Sequence, residues 1–206
     1  MITVSPYAGQ PQEEWTAITD RLLAEHPLRD PEIVDVVKVS WSAIFDTRIG
    51  PSGFKIGPDI EPQPQIMGFF LHELIPLEFE RRYPGKWRRQ KVKLDKDLVS
   101  LADQRFSVEI KTSSHPSQVF GNRSYGQPTK EGELGRKGKS GYYLTVNFDK
   151  FKGDSRPEIK AIRFGWLDHD DWIAQTAATG QAARLRAEAY RFKLRTLYSA
   201  TGPSES

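Results

Sequence analysis

The residues of this chain best equipped for chemistry are Asp97, Glu109 and Lys111. In the run Arg105-Phe106-Ser107-Val108-Glu109-Ile110-Lys111, strand alternation puts Phe106, Val108 and Ile110 on one apolar face. Ser107, Glu109 and Lys111 then share the opposite face. A three-residue turn, Ala102-Asp103-Gln104, would fold the preceding segment back so that Asp97 faces Glu109 and Asp95 faces Lys111. An even-length loop would throw Asp97 onto the wrong face. Two carboxylates opposed across strands at about 5 Å repel by roughly 3 kcal/mol at an effective dielectric near 20. A divalent cation between them reverses the sign. With Lys111 beside them to hold or polarise a water, this is equipment for hydrolysing a phosphodiester. The same spacing also fits a surface hairpin with ordinary ion pairs.

The run that follows is dense in hydrogen-bonding side chains. Ser113, Ser114 and His115, then Asn122, Arg123, Ser124, Tyr125 and Gln127, are candidates to contact DNA, since Asn suits adenine edges and Arg suits guanine edges. Gly121 and Gly126 would let the backbone approach DNA closely. A polar loop built on Asn and Ser turns is the competing reading. Residues 127–140 are rich in Gly, Lys and Glu. They read either as a basic loop that orders around DNA through Lys130, Arg136 and Lys137, or as a plain hairpin tip.

These groups need a scaffold, and 206 residues suffice for one domain. The absence of cysteine excludes disulfides, zinc-thiolate sites and Cys nucleophiles. Any metal must bind through oxygen or the four histidines, and oxygen favours Mg²⁺ or Mn²⁺. Residues 1–10 lack the features of a signal peptide and no apolar run reaches membrane-span length, so a soluble cytoplasmic protein is expected. Net charge is only +3, but basic residues cluster at 81–93, 130–139 and 184–195. Such clusters can follow a phosphate backbone or simply be solvated surface.

Helical spacing marks Trp15 to His26, Glu32 to Phe45 behind Pro31, and Gln65 to Glu80, with a bend or an end near Pro76. Four strands are expected, at Lys91 to Leu101, Arg105 to Thr112, Gly141 to Phe148 and Glu158 to Leu167. Asp168 suits an N-cap, and Gln181 to Tyr198 reads as a basic amphipathic helix. Helices, then strands, then a helix give an α/β or α+β sandwich. The single domain would divide into a helical part over 11–83, a catalytic sheet over 87–167 and a C-terminal helix over 181–198.

Asp97 with Glu109-Ile110-Lys111 resembles the PD-(D/E)xK nuclease signature, with Lys96 in place of the usual proline. Gln65 to Leu74, Asp95 to Val99, Glu109 to Ser114, Phe120 to Tyr125 and Ile162 to Leu167 together resemble the ScaI family of type II restriction endonucleases, from about Ser5 to Tyr198. The resemblance implies a restriction-endonuclease-like α/β core, a mixed central β-sheet flanked by α-helices. It implies Mg²⁺-dependent cleavage of double-stranded DNA at a short, specific site, with Asp97 and Glu109 on the metal and Lys111 positioning water. Asp95 is the competing first ligand, and register favours Asp97. Glu73 would be a further acid of the metal site, or else a glutamate paired to a buried Arg. His72 reads as a core histidine. Cutting both strands of a symmetric site implies a homodimer, built through the early helices or the C-terminal helix. A repair nuclease of the same core and a non-catalytic DNA-binding module are the alternatives.

Overall fold

Pro31 in the first turn and the Glu32 carboxylate, which accepts the Arg29 N–H at 3.1 Å, start the second of the three α-helices among the described residues. The computed structural model describes residues 4–126, 138–152, 155–174 and 182–201. The helices are α1 (Trp15–Glu25), α2 (Asp30–Asp46) and α3 (Pro64–Arg82). Ile33, Val36, Val37, Trp41 and Ile44 form the buried stripe of α2. Pro76 does not end α3, which continues to Arg82. Ile75, Pro76 and Phe79 are all buried there, and that packing offsets the hydrogen bond a proline removes. Among the described residues no helix is long and apolar enough to cross a membrane.

The strands are β1 (Trp87–Arg89), β2 (Leu98–Ser100), β3 (Val108–Ser113), β4 (Phe120–Asn122), β5 (Gly141–Phe148), β6 (Ile159–Leu167), β7 (Trp172–Ala174), β8 (Ala182–Leu185) and β9 (Leu194–Ser199). Six of them form a mixed sheet in the order β1-β2-β3-β5-β6-β9, with β3 and β5 parallel and the other neighbours antiparallel. The other three form a small sheet, β4-β8-β7. Val108, Ile110, Tyr142, Leu144, Val146, Ile162 and Phe164 join the helices in the main core. The opposite face of the same strands carries Glu109 and Lys111. Part of that face is covered by the small sheet, whose Trp172, Ala183 and Leu185 pack on Tyr143 and Leu167.

Three expectations need correction. Residues 91–101 are not one strand, because only Leu98–Ser100 enters the ladder. The segment before β3 is a 3-10 turn, Gln104–Phe106, capped by the Asp103 carboxylate. Residues 181–198 do not form a helix, since β8, a π-turn at Ala189–Lys193 and β9 occupy the described part of that segment. The edge of β6 explains this last outcome. Leu194 to Ser199 complete its hydrogen-bond ladder, and Gly165 leaves room for the Lys193 carbonyl where any Cβ would collide.

His26 joins the helices to the turn that leads into β3. It is fully buried, Nε2 lies 3.0 Å from the Phe106 carbonyl, and Nδ1 accepts the Leu28 N–H at 3.1 Å. One nitrogen donates and the other accepts, so the ring is neutral. Burial lowers its pKa to about 4 from the ordinary 6.5. The unfolded chain therefore binds this proton first as pH falls. The stability His26 contributes is present above pH 6.5 and lost on descending towards 4, by roughly 3 kcal/mol at about 1.36 kcal/mol per unit. Urea titrations of the wild type and His26→Gln at pH 7 and pH 4.5 should show a steeper acid loss in the wild type. Parallel losses would remove His26 from this role.

Candidate active site

Leu98 pairs with Val108, which makes Asp97 and Glu109 the next pair along the antiparallel strands. The Asp97 carboxylate accepts the Ile110 backbone N–H at 2.6 Å. It is thereby anchored on the strand that carries Glu109 and Lys111. The Lys111 ammonium donates to Glu109 Oε1 at 2.8 Å, with side-chain exposures of 14% and 4%. The Tyr125 hydroxyl donates to the same oxygen at 2.7 Å. Lys111 also lies over the Tyr125 ring, 4.7 Å from its centre. The structure thus brings Asp97, Glu109 and Lys111 together and adds Tyr125, which sequence reasoning had placed among the DNA-contacting residues.

Asp95 does not face Lys111. Its carboxylate takes Arg88 at 2.6 Å and the Lys91 and Val92 N–H groups at 3.0 and 3.2 Å. Arg88 holds it well below the usual carboxylate range, ahead of those backbone donors. The residue braces the 90–97 loop, and its proximity to Asp97 in sequence concealed that role.

His72 is not a core histidine. Its side chain is one-third exposed, with Nδ1 3.8 Å from Asp97. His72, Glu73, Arg89, Lys91, Lys93 and Asp97 line a cleft of about 390 Å³. Of the basic run at 81–93, these exposed arginine and lysine residues face the cleft. Arg81 and Arg82 instead pair with Glu78, and Arg82 also with Asp35.

Ser113 lies at the end of β3, two alternations beyond Glu109 on the same face. Its hydroxyl accepts the His115 N–H at 3.0 Å. His115 organises the loop rather than facing an acid, since Nδ1 accepts the N–H groups of Ser117 and Gln118 at 3.2 and 3.0 Å. Asn147, fully buried, clamps that loop by donating to the His115 and Gln118 carbonyls. Ser114 is half-buried, and Asn122 and Ser124 are exposed. Gly121 serves ring packing, because a Cβ there would meet Tyr125 at 2.9 Å and Trp172 at 3.2 Å. Gln127, Lys130, Arg136 and Lys137 lie outside the described residues, as does the side chain of Arg123. The basic C-terminal run divides by environment. Arg184 and Arg186 line a groove with Arg163 and Tyr190, Lys193 is buried, and Arg195 pairs with Asp20 and Asp30.

The donor set fits a hard divalent ion: the Asp97 and Glu109 carboxylates are adjacent in register and supply the oxygen ligands such an ion prefers. Among the described residues no group of three or more acidic or histidine side chains could hold a metal by itself. Mg²⁺ commonly uses one or two carboxylates, with water and phosphate completing its shell.

Comparison with known proteins adds a second line. The ScaI restriction endonuclease family matches residues 5–198. The type II restriction enzyme ScaI of Streptomyces caespitosus is 49% identical over 187 residues, covering 89% of this chain and 80% of that enzyme.

Proposed function

The chain belongs to the ScaI restriction endonuclease family, and from that premise we propose that it is a type II restriction endonuclease of PD-(D/E)xK type. It hydrolyses double-stranded DNA at a short palindromic site with Mg²⁺, leaving 5′-phosphate ends. The observation that carries this reading is the Lys111–Glu109 ion pair at 2.8 Å, with Asp97 anchored on the same strand. Asp97 and Glu109 hold the metal, which when bound supplies Lewis-acid neutralisation of phosphate charge. Lys111 orients the attacking water and offers positive charge where the phosphate gains negative charge. Arg89, Lys91 and Lys93 hold the DNA backbone along the cleft. Incubating plasmid with the protein and Mg²⁺ should give discrete fragments that chelation prevents, whose sequenced ends share one motif. A smear without a common motif would contradict the reading.

One site cuts one strand, so a palindrome calls for two chains about a two-fold axis. The exposed apolar side chains of α3, Ile66 at 48%, Phe69 at 58% and Leu77 at 37% exposure, support that helix as the interface. Phe69→Glu should shift sedimentation from dimer to monomer and turn double-strand cuts into nicks. A variant that stays dimeric would exclude α3.

A further inference from the structure

From the turn that follows β4, one aromatic side chain reaches across to β3. Tyr125 sits on the 3-10 turn Arg123–Gly126, directly after β4. Its hydroxyl reaches Glu109 at 2.7 Å and its ring faces the Lys111 ammonium at 4.7 Å. Behind it, Trp172 of β7 packs edge-on with ring centres 5.0 Å apart, and Gly121 of β4 lacks the Cβ that would block the ring. Trp172 is itself buried, so the ring rests on a fixed support. Phenylalanine would fill the same space, whereas only the hydroxyl selects one oxygen of Glu109.

We propose that Tyr125 is a positioning residue for cleavage: it fixes the Glu109 carboxylate and the Lys111 ammonium in their working orientation and ties them to the segment bearing Asn122 and Arg123. A carboxylate held at one oxygen by Lys111 and Tyr125 presents its other oxygen in a defined direction. That is the condition for a metal ligand to be preorganised. Because Tyr125 follows the candidate base-reading residues by two or three positions, engagement of DNA by that segment is transmitted to Glu109. The coupling lets the correct site, more than any other DNA, complete the catalytic arrangement. This inference rests on the assignment of Glu109 and Lys111 given above.

The experiment compares wild type, Tyr125→Phe and Glu109→Gln. It uses single-turnover cleavage of a plasmid that the wild type cuts. Binding of a duplex spanning a mapped cut position is measured in Ca²⁺, Mn²⁺ affinity by calorimetry without DNA, and stability by thermal melting. Tyr125→Phe should cut about tenfold more slowly at saturating DNA and Mg²⁺, as expected for one lost hydrogen bond to a charged group. It should bind Mn²⁺ several-fold more weakly while keeping DNA affinity within about twofold and remaining fully folded at the assay temperature. Wild-type rate and Mn²⁺ affinity in Tyr125→Phe would overturn the proposal, and so would a rate loss that simply follows a lower melting temperature. If Glu109→Gln cuts as fast as wild type, the assignment of the site itself fails and Tyr125 loses its role with it. If Glu109→Gln is inactive and Tyr125→Phe is normal, only the positioning role fails.

Discussion

Glu109→Gln and Lys111→Gln should each lower single-turnover cleavage by about a thousandfold or more, with DNA affinity in Ca²⁺ changed far less. The two changes are close to the native side chains in shape and keep a hydrogen-bonding end group. They therefore remove charge without opening a cavity. Glu109 is 3% exposed and shares its Oε1 with Lys111 and Tyr125, so the amide finds Tyr125 as a partner and the fold survives. On the proposed mechanism, the charge removed is a negative metal ligand in one variant and the positive group beside the reacting phosphate in the other. The two groups act as a unit, so the double variant should be little worse than either single one. Multiplying losses would mean that the groups act separately, and cleavage within tenfold of wild type would remove them from the centre.

The second large effect concerns stability. Lys193→Met should cost about 3–5 kcal/mol, the cost of removing one partner from a buried ion pair. Lys193 is 4% exposed, and its ammonium reaches Asp168 at 2.9 Å and Asp171 at 2.9 and 3.0 Å. It also lies over the rings of Tyr7 and Trp15, at 4.4 and 4.5 Å from their centres. Asp168 accepts Ser5 and Trp166 as well. The cluster therefore ties the N-terminal segment to the end of β6 and to the π-turn. Burial raises the Asp171 pKa above the ordinary carboxylate value, and Lys193 opposes that rise. An acid raised in the folded state favours folding below its unfolded pKa, and that benefit is lost as pH rises through the folded value. Without Lys193 the rise is larger, so the stability gap between Lys193→Met and wild type should narrow towards pH 4. Adding Asp171→Asn should recover part of the loss at pH 7. Urea denaturation measures both effects, and a gap that is independent of pH would contradict the electrostatic cause.

Local signals were legible where they matched the tertiary outcome. Proline starts, apolar stripes and the run Gly141 to Phe148 placed three helices and the central strand within a few residues. The parity of the turn around Asp103 put Asp97 beside Glu109 although the turn itself is a 3-10 segment, because register depends on how many residues intervene. Residues 181–198 read as a basic amphipathic helix in sequence, because their deciding partner, the open edge of β6, is one that sequence alone cannot display. Asp95 and Asp97 look alike in the chain, and only Arg88, returning from β1, separates a brace from an anchored site acid. Tyr125 lay in the right segment under the wrong role. Its reach to Glu109 depends on β4 pairing with β8, more than fifty residues away. A tyrosine two residues beyond a polar Gly-Asn-Arg run was the available signal, and it points equally to a base and to a carboxylate.

The central claim is that Asp97 and Glu109 share one divalent ion beside Lys111. The most direct measurement is an anomalous difference map from crystals of the protein grown with Mn²⁺ and uncut DNA. A peak at coordination distance, about 2 Å, from a carboxylate oxygen of both Asp97 and Glu109 is the predicted result. Mn²⁺ bound elsewhere, with these two carboxylates turned apart and the DNA phosphate away from Lys111, would contradict it.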